Sequence, residues 1–262
     1  MSQSEAVKRL QKAQGLLQQE YTKDALKILT RLAEEFPETP GLNTTFGSAL
    51  ASVGQWRMAS GYLKKALQNN LDQPDVLNNL AACHRALGKF REGLDNLEYA
   101  LRLVPRFVDA WINKGNLHTD LGEPEKAALC YARAIKLKPA DAGPWLSLIY
   151  SQLAAGSPSQ ALKVAQEACS RFPDDSAFIT AEISALQAIG KPREALDKAR
   201  QWEAASGNLD AAAWCLKAAQ AMEDPESLAA EEHRLRDKYG PQEVFDAILS
   251  GTEQSTDQQQ VS

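Results

Sequence analysis

The sequence is poor in the residues that build catalytic and metal centres. It holds four cysteines and three histidines in 262 residues. Cys83, Cys130, Cys169 and Cys215 show no C-x-x-C spacing and fall within helical patterns. That usage suits reduced, buried thiols in a reducing compartment. There is no H-E-x-x-H motif, no phosphate-cradling glycine loop and no nucleophile–base signature. No catalytic, cofactor-binding or metal-ligating residue is therefore named, and the expectation is a protein that is not an enzyme. Basic charge is not in excess either: 29 Lys and Arg stand against 34 Asp and Glu, net −5. Nucleic-acid binders carry a basic face or stripe, so no nucleic-acid partner is expected. A membrane span needs about 20 apolar residues. The uncharged stretch 142–162 contains two prolines and two glycines instead. The first twenty residues, MSQSEAVKRLQKAQGLLQQE, lack the apolar core of a signal peptide, which points to a cytoplasmic protein.

What is present is a period. Residues 108–141, VDAWINKGNLHTDLGEPEKAALCYARAIKLKPAD, read as two amphipathic helices joined by a tight turn. Val108, Trp111, Gly115, His118 and Leu121 fall on one face at helical spacing. Gly122 ends that helix in the left-handed conformation, and Pro124 suits the first turn of the next. Ala127, Tyr131, Ala134 and Ile135 form the second stripe, and Pro139 closes it. Gly115 and Ala127 are small enough for the two helices to cross closely.

The same pattern recurs over 6–39, 40–73, 74–107, 142–175 and 176–209, without insertion or deletion. The eighth position reads Ala13, Gly47, Ala81, Gly115, Ile149, Ile183. The fifteenth reads Glu20, Gly54, Gly88, Gly122, Gly156, Gly190. The twentieth reads Ala25, Ala59, Gly93, Ala127, Ala161, Ala195. The thirty-second reads Pro37, Leu71, Pro105, Pro139, Pro173, Gly207. These columns, with Trp111, Tyr131 and Ala134, make the chain resemble the tetratricopeptide repeat, a helix–turn–helix unit of about 34 residues. The resemblance implies an all-α fold: a right-handed α–α superhelix of six repeats plus a degenerate C-terminal helix pair at 210–239, the array as a whole occupying 1–239. It covers about four-fifths of the chain.

The departures carry information. Ile149 and Ile183 replace the small residue at the crossing, so those pairs are expected to splay or shift register. Lys114 and Glu182 stand at the normally apolar seventh position, where their stems can snorkel to solvent; a local change of helix rotation is the other reading. In 210–239, Trp214, Ala218, Met222, Leu228 and Leu235 keep apolar spacing with Pro225 at the turn, as the atypical last unit of an array must. Gly240-Pro241 then breaks the helix. A short helix over 240–250, with Val244, Phe245, Ile248 and Leu249 on one side, is expected to fold back as a cap; a free docking motif is the other reading. The polar tail 251–262 is expected to be disordered. His84 and His118 share the eleventh position of adjacent repeats beside Cys83. Packing between helices is the favoured reading of that column over a metal site.

In the family, the first helices line a concave groove, and their second, fifth, sixth, ninth, twelfth and thirteenth positions face into it. Carried over, this makes Asn78, Asn79, Arg85, Ile112, Asn113, Asn116, Leu146, Tyr150 and Leu153 the candidate groove residues. Asn79 and Asn113 are equivalent one repeat apart. Side-chain amides offer donor and acceptor together and can pair with a peptide backbone; asparagine ladders serve that purpose in the repeats of protein O-GlcNAc transferases. Ile112, Leu146, Tyr150 and Leu153 form an apolar patch suited to a partner's side chains. The carboxylate clamp of chaperone-binding family members needs lysine in the fifth or ninth column, and neither column holds one.

The expected function is a non-catalytic scaffold or adaptor that binds a partner's extended peptide or helix in the groove, in the assembly of a multiprotein complex. Two alternatives stand beside it. One is a substrate-presenting accessory subunit of a glycosyltransferase or sulfotransferase complex. The other is self-association through the ends of the array.

Overall fold

A computed structural model describes residues 3–68 and 70–240. The expected helix over 240–250 and the tail 251–262 lie outside the described residues, Gly240 aside. Among the described residues there are fourteen α-helices and no strand. The chain divides into two compact units, residues 1–138 and 139–262.

The first unit contains α1 (Gln3–Gln18), α2 (Thr22–Glu35), α3 (Leu42–Ser52), α4 (Trp56–Gln68), α5 (Pro74–Ala86), α6 (Phe90–Leu103), α7 (Val108–Asp120) and α8 (Pro124–Leu137). The second contains α9 (Gly143–Ala154), α10 (Pro158–Arg171), α11 (Ser176–Ala188), α12 (Pro192–Ser206), α13 (Leu209–Gln220) and α14 (Pro225–Tyr239). In both units each helix packs against the next, so consecutive helices form antiparallel hairpins stacked in a row. First helices of successive hairpins also touch: α1 with α3, α3 with α5, α5 with α7, and in the second unit α9 with α11 and α11 with α13. Second helices have no comparable contact with one another among the described residues. Within each unit the first helices therefore form the crowded, inner side of the stack.

One turn design is used again and again. After α3, α5, α7, α9 and α11 a glycine adopts positive φ: Gly54, Gly88, Gly122, Gly156 and Gly190, between 66° and 76°. The residue after each glycine returns its N–H to a carbonyl five residues back, as Glu123 does to His118 at 2.9 Å and Lys191 to Leu186 at 2.9 Å. This satisfies carbonyls that the helix end leaves open. The first hairpin makes the same bond, Tyr21 N–H to Leu16 at 2.9 Å, with Glu20 at φ 64° in the glycine slot. A side chain there costs about 1 kcal/mol that glycine avoids.

Helix contact is set by paired volumes. A Cβ on Gly115 would lie 2.6 Å from the Tyr131 ring, and one on Gly47 would lie 2.7 Å from Leu63. The small residue of the first helix thus lets the large one of the second lie against its backbone. In the second unit the sizes are exchanged: Ile149 and Ile183 are fully buried, and the positions equivalent to Tyr131 are Ala165 and Ala199, also fully buried. The room expected from splayed or shifted helices is supplied by this exchange. Trp111 and Trp145 bury their rings partly or wholly and donate Nε1–H to the carbonyls of Pro105 (3.0 Å) and Pro139 (3.1 Å). Each tryptophan so spends its one polar group on the loop ahead of its own helix.

The last hairpin is held by charge. Glu231 of α14 is fully buried and takes hydrogen bonds from Arg200 and Arg234; Glu203 of α12, also buried, takes them from Arg234, Lys238 and Tyr239. Burial alone would raise both carboxyls, but these donors outweigh it and hold them below the usual carboxylate range.

Candidate functional site

The inner side of the first unit is built from α1, α3, α5 and α7, and its polar side chains pair from one helix to the next. Gln14 Nε2 donates to Thr45 Oγ1 at 3.1 Å, and Asn79 Nδ2 to Ser48 Oγ at 2.9 Å. Both bonds join the ninth position of one repeat to the sixth of the next. The following bond of that series is blocked, because the ninth position there is Ala82. Asn113 instead donates Nδ2 to Asn78 Oδ1 at 2.9 Å. Asn78 is only 8% exposed, so it supports the wall from behind and takes no place on its surface. Asn79 and Asn113 are half-buried and keep their own Oδ1 acceptors and a second N–H each. Asn116 accepts the Tyr131 hydroxyl at 2.7 Å. Arg85 is exposed but makes a two-pronged ion pair with Asp120, with Nη2 to Oδ1 at 3.1 Å. The amides foreseen as peptide-pairing groups thus also tie repeat to repeat, a duty visible in the sequence only as the recurring nine-to-six spacing.

Between α5 and α7 lies an open cavity of about 290 Å³. Ala81, Ala82, Ala86 and Leu117 give it an apolar floor, Trp56 closes one end, and Asn113, Arg85 and Asp120 stand at its rim. Ile112 is half-buried on α7 and does not line it.

The second unit carries the remaining candidates. Leu146 and Leu153 are half-buried on α9, and Tyr150 is 45% exposed. Partial burial pushes the Tyr150 phenol above its ordinary range, with its side-chain hydrogen bonding to Thr180 of α11 opposing. A second cavity, about 260 Å³, lies between α11 and α13 and was not foreseen. Ser176, Ala177 and Thr180 form one wall, Asp210, Ala213, Trp214 and Lys217 the other, with Trp202 at its base. Lys217 Nζ sits 4.4 Å from the Trp214 ring centre, and burial lowers its ammonium pKa. The clue was Trp214 at a groove-facing fifth position, which apolar spacing alone assigned to packing.

His84 pairs with Asn96 on α6, and His118 Nδ1 lies 2.7 Å from Glu123 in the turn before α8, so the two histidines take separate partners. Among the described residues no group of three or more His, Cys, Asp or Glu is placed to hold a metal ion. No helix among them is long and apolar enough to cross a membrane. Lys114 reaches Glu98 at 3.0 Å and Glu182 reaches Lys198 at 2.7 Å, so both seventh-position charges end in ion pairs.

Comparison with known proteins agrees with the hairpin geometry. Residues 108–141 match the family model for the tetratricopeptide repeat. DnaJ homolog subfamily C member 7 from Mus musculus is 30% identical over 104 residues, 40% of this chain and 20% of that protein. U-box domain-containing protein 70 from Oryza sativa subsp. japonica is 29% identical over 77 residues, 29% of this chain and 10% of that protein. The chain thus spans a fifth or less of the length of these curated relatives. A solved tetratricopeptide repeat protein from Parabacteroides merdae ATCC 43184 superposes with a TM-score of 0.63 at 17% identity, over 95% of this chain and 98% of that one. Residues 108–141 are thus matched to the tetratricopeptide repeat in sequence, and nearly the whole chain has the fold of a solved tetratricopeptide-repeat protein.

Proposed function

We propose that the chain is a non-catalytic adaptor in a multiprotein complex, binding an extended or helical segment of a partner protein on the inner side of its first helices. The observation that carries this is the cavity between α5 and α7. It has an apolar floor for a partner side chain, and Asn113 at its rim keeps an acceptor for a partner's N–H. That combination orients a peptide and takes up its apolar surface. Its charged rim groups, Arg85 and Asp120, neutralise each other, which supports binding over acid–base chemistry. Leu146, Tyr150 and Leu153 offer an apolar patch of the same kind on α9. The four free thiols fit a reducing compartment such as the cytoplasm.

The test is affinity capture with mass spectrometry on the full chain, comparing wild type with Ala82→Trp, which fills the cavity, and with Asn113→Ala combined with Tyr150→Ala. Loss of a defined subset of captured proteins from folded variants is expected. An unchanged set from both would remove the assignment to this face.

A further inference from the structure

We propose that helix α8 of one chain docks into the cavity between α5 and α7 of a second copy, with Leu129 as its anchor. The contact joins the outer side of one molecule to the inner side of the next, and the ends of the array take no part in it.

The first observation is a leucine that its own chain does not use. Leu129 is 73% exposed, the highest value for a large apolar side chain among the described residues. It stands at the twenty-second position of its repeat, where the other repeats carry Lys27, Gly61, Asp95, Lys163 and Asp197. The stripe that α8 buries is a different one, made of Ala127, Cys130, Tyr131 and Ala134. Packing within the chain therefore gives no reason for a leucine there. Its surroundings are basic. Lys126, Arg133 and Lys136 are exposed on the same face of α8, with Glu125 as the acid beside them. Lys126 is held by Glu123 at 2.9 Å, which leaves Arg133 and Lys136 to face a partner.

The cavity between α5 and α7 is the complement. Its volume is about 290 Å³ and its floor is apolar. An apolar cavity of about 150 Å³ holds a benzene ring, so a leucine side chain enters with room to spare. Asp75 and Asp109 are exposed in the first turns of α5 and α7. Each precedes its groove asparagine, Asn79 or Asn113, by one helical turn and so faces the same inner side. At the other end of the cavity Arg85 and Asp120 satisfy each other and add no net charge.

The spacings match. Asp75 lies two turns before Ala82 of the cavity floor, about 10 Å along the helix axis. Lys136 lies two turns after Leu129, again about 10 Å. With α8 antiparallel to α5 and α7, Leu129 sits over the cavity while Arg133 and Lys136 reach toward Asp75 and Asp109. That orientation also sets the carbonyl end of α8 beside the N–H ends of α5 and α7, as their dipoles favour. Anchor and cavity are unlike surfaces on two sides of one unit, so each copy keeps one of each open and the contact repeats from copy to copy. A single anchor with a few exposed charges makes a weak, salt-sensitive contact. The contact uses the cavity of the adaptor reading, so a partner segment bound there would displace the second copy.

The experiment uses the purified full chain alone, so its failure leaves the adaptor reading standing. Sedimentation velocity from micromolar to millimolar protein is expected to show mass that grows with concentration and falls with added salt. Leu129→Asp changes an exposed residue and is expected to raise the dissociation constant at least about tenfold. Asp75→Lys/Asp109→Lys, also at exposed positions, is expected to weaken association from the cavity side. Mixed together, the two variants are expected to pair one to one with the affinity of the wild-type contact and to grow no further. Leu129→Asp supplies the intact cavity there, and the lysine variant supplies the intact anchor. A wild-type chain that stays monomeric at every concentration overturns the proposal. So does association that Leu129→Asp leaves unchanged, and so does a mixture that associates no more tightly than either variant alone.

Discussion

Asn113 on α7 donates its side-chain amide to Asn78 on α5, and the acceptor is buried while the donor faces the cavity. The proposed binding face and repeat-to-repeat cohesion therefore share one side chain. Replacing Asn113 by alanine leaves a buried carbonyl oxygen without its partner, at a cost of about 1–2 kcal/mol. A lowered urea midpoint for Asn113→Ala is the expected result, and it must be measured alongside any loss of binding. An unchanged midpoint would mean that the amide pair contributes nothing to the wall.

The exchanged volumes at the helix crossings make a sharper prediction. Gly115→Val places methyl groups where the Tyr131 ring lies and should destabilise by about 1–3 kcal/mol. Adding Tyr131→Ala, which copies the Ile149 and Ala165 arrangement, should restore part of that loss. A double variant whose loss equals the sum of the two single losses would refute the pairing, since coupled neighbours depart from additivity.

Glu20 occupies a left-handed turn position that glycine fills in the next five hairpins. Glu20→Gly should raise stability by about 0.5–1 kcal/mol, the strain relieved exceeding the chain entropy that glycine adds. The reverse change, Gly122→Ala, should lower it by about 1 kcal/mol. Thermal melting of both variants is the check. Equal melting temperatures across the set would show that the first turn relaxes at no cost.

The last hairpin should loosen in acid. Glu203 and Glu231 have native pKa values held below the ordinary glutamate value of about 4.3. Their stabilisation is complete above that value and is lost as pH falls through the depressed native values. Hydrogen exchange in α14 should therefore rise, as pH falls below the ordinary glutamate value, before it rises in α5 or α7. Arg234→Ala, which strips one cation from both carboxylates, should cost about 3 kcal/mol at neutral pH, the lower end for breaking a buried pair because each keeps another donor. Loss of protection in α5 and α7 ahead of α14 on acidification would contradict this.

Burial pushes the thiols of Cys83 and Cys130 up to about 11, and those of Cys169 and Cys215 up to about 12. At pH 8 the thiolate fraction is then about a thousandth or less. A disulfide-exchange reagent should label the folded protein slowly at all four, and all four rapidly in denaturant. Fast labelling of any one in the native state would place that thiol at the surface.

The sequence alone determined the hairpins, their turns and their order. Glycines at a fixed interval, prolines at first turns and apolar stripes are local instructions, each readable within one repeat. Tertiary structure decided what crosses between repeats. The matching of Ile149 by Ala165, the diversion of Asn113 to Asn78 past Ala82, and the cavity between Trp202 and Trp214 depend on which side chains meet across two helices. A spacing rule ranks positions along one helix. It cannot tell whether a polar residue at the rim faces a partner or is spent on its neighbour, because that depends on distances set only when the helices pack.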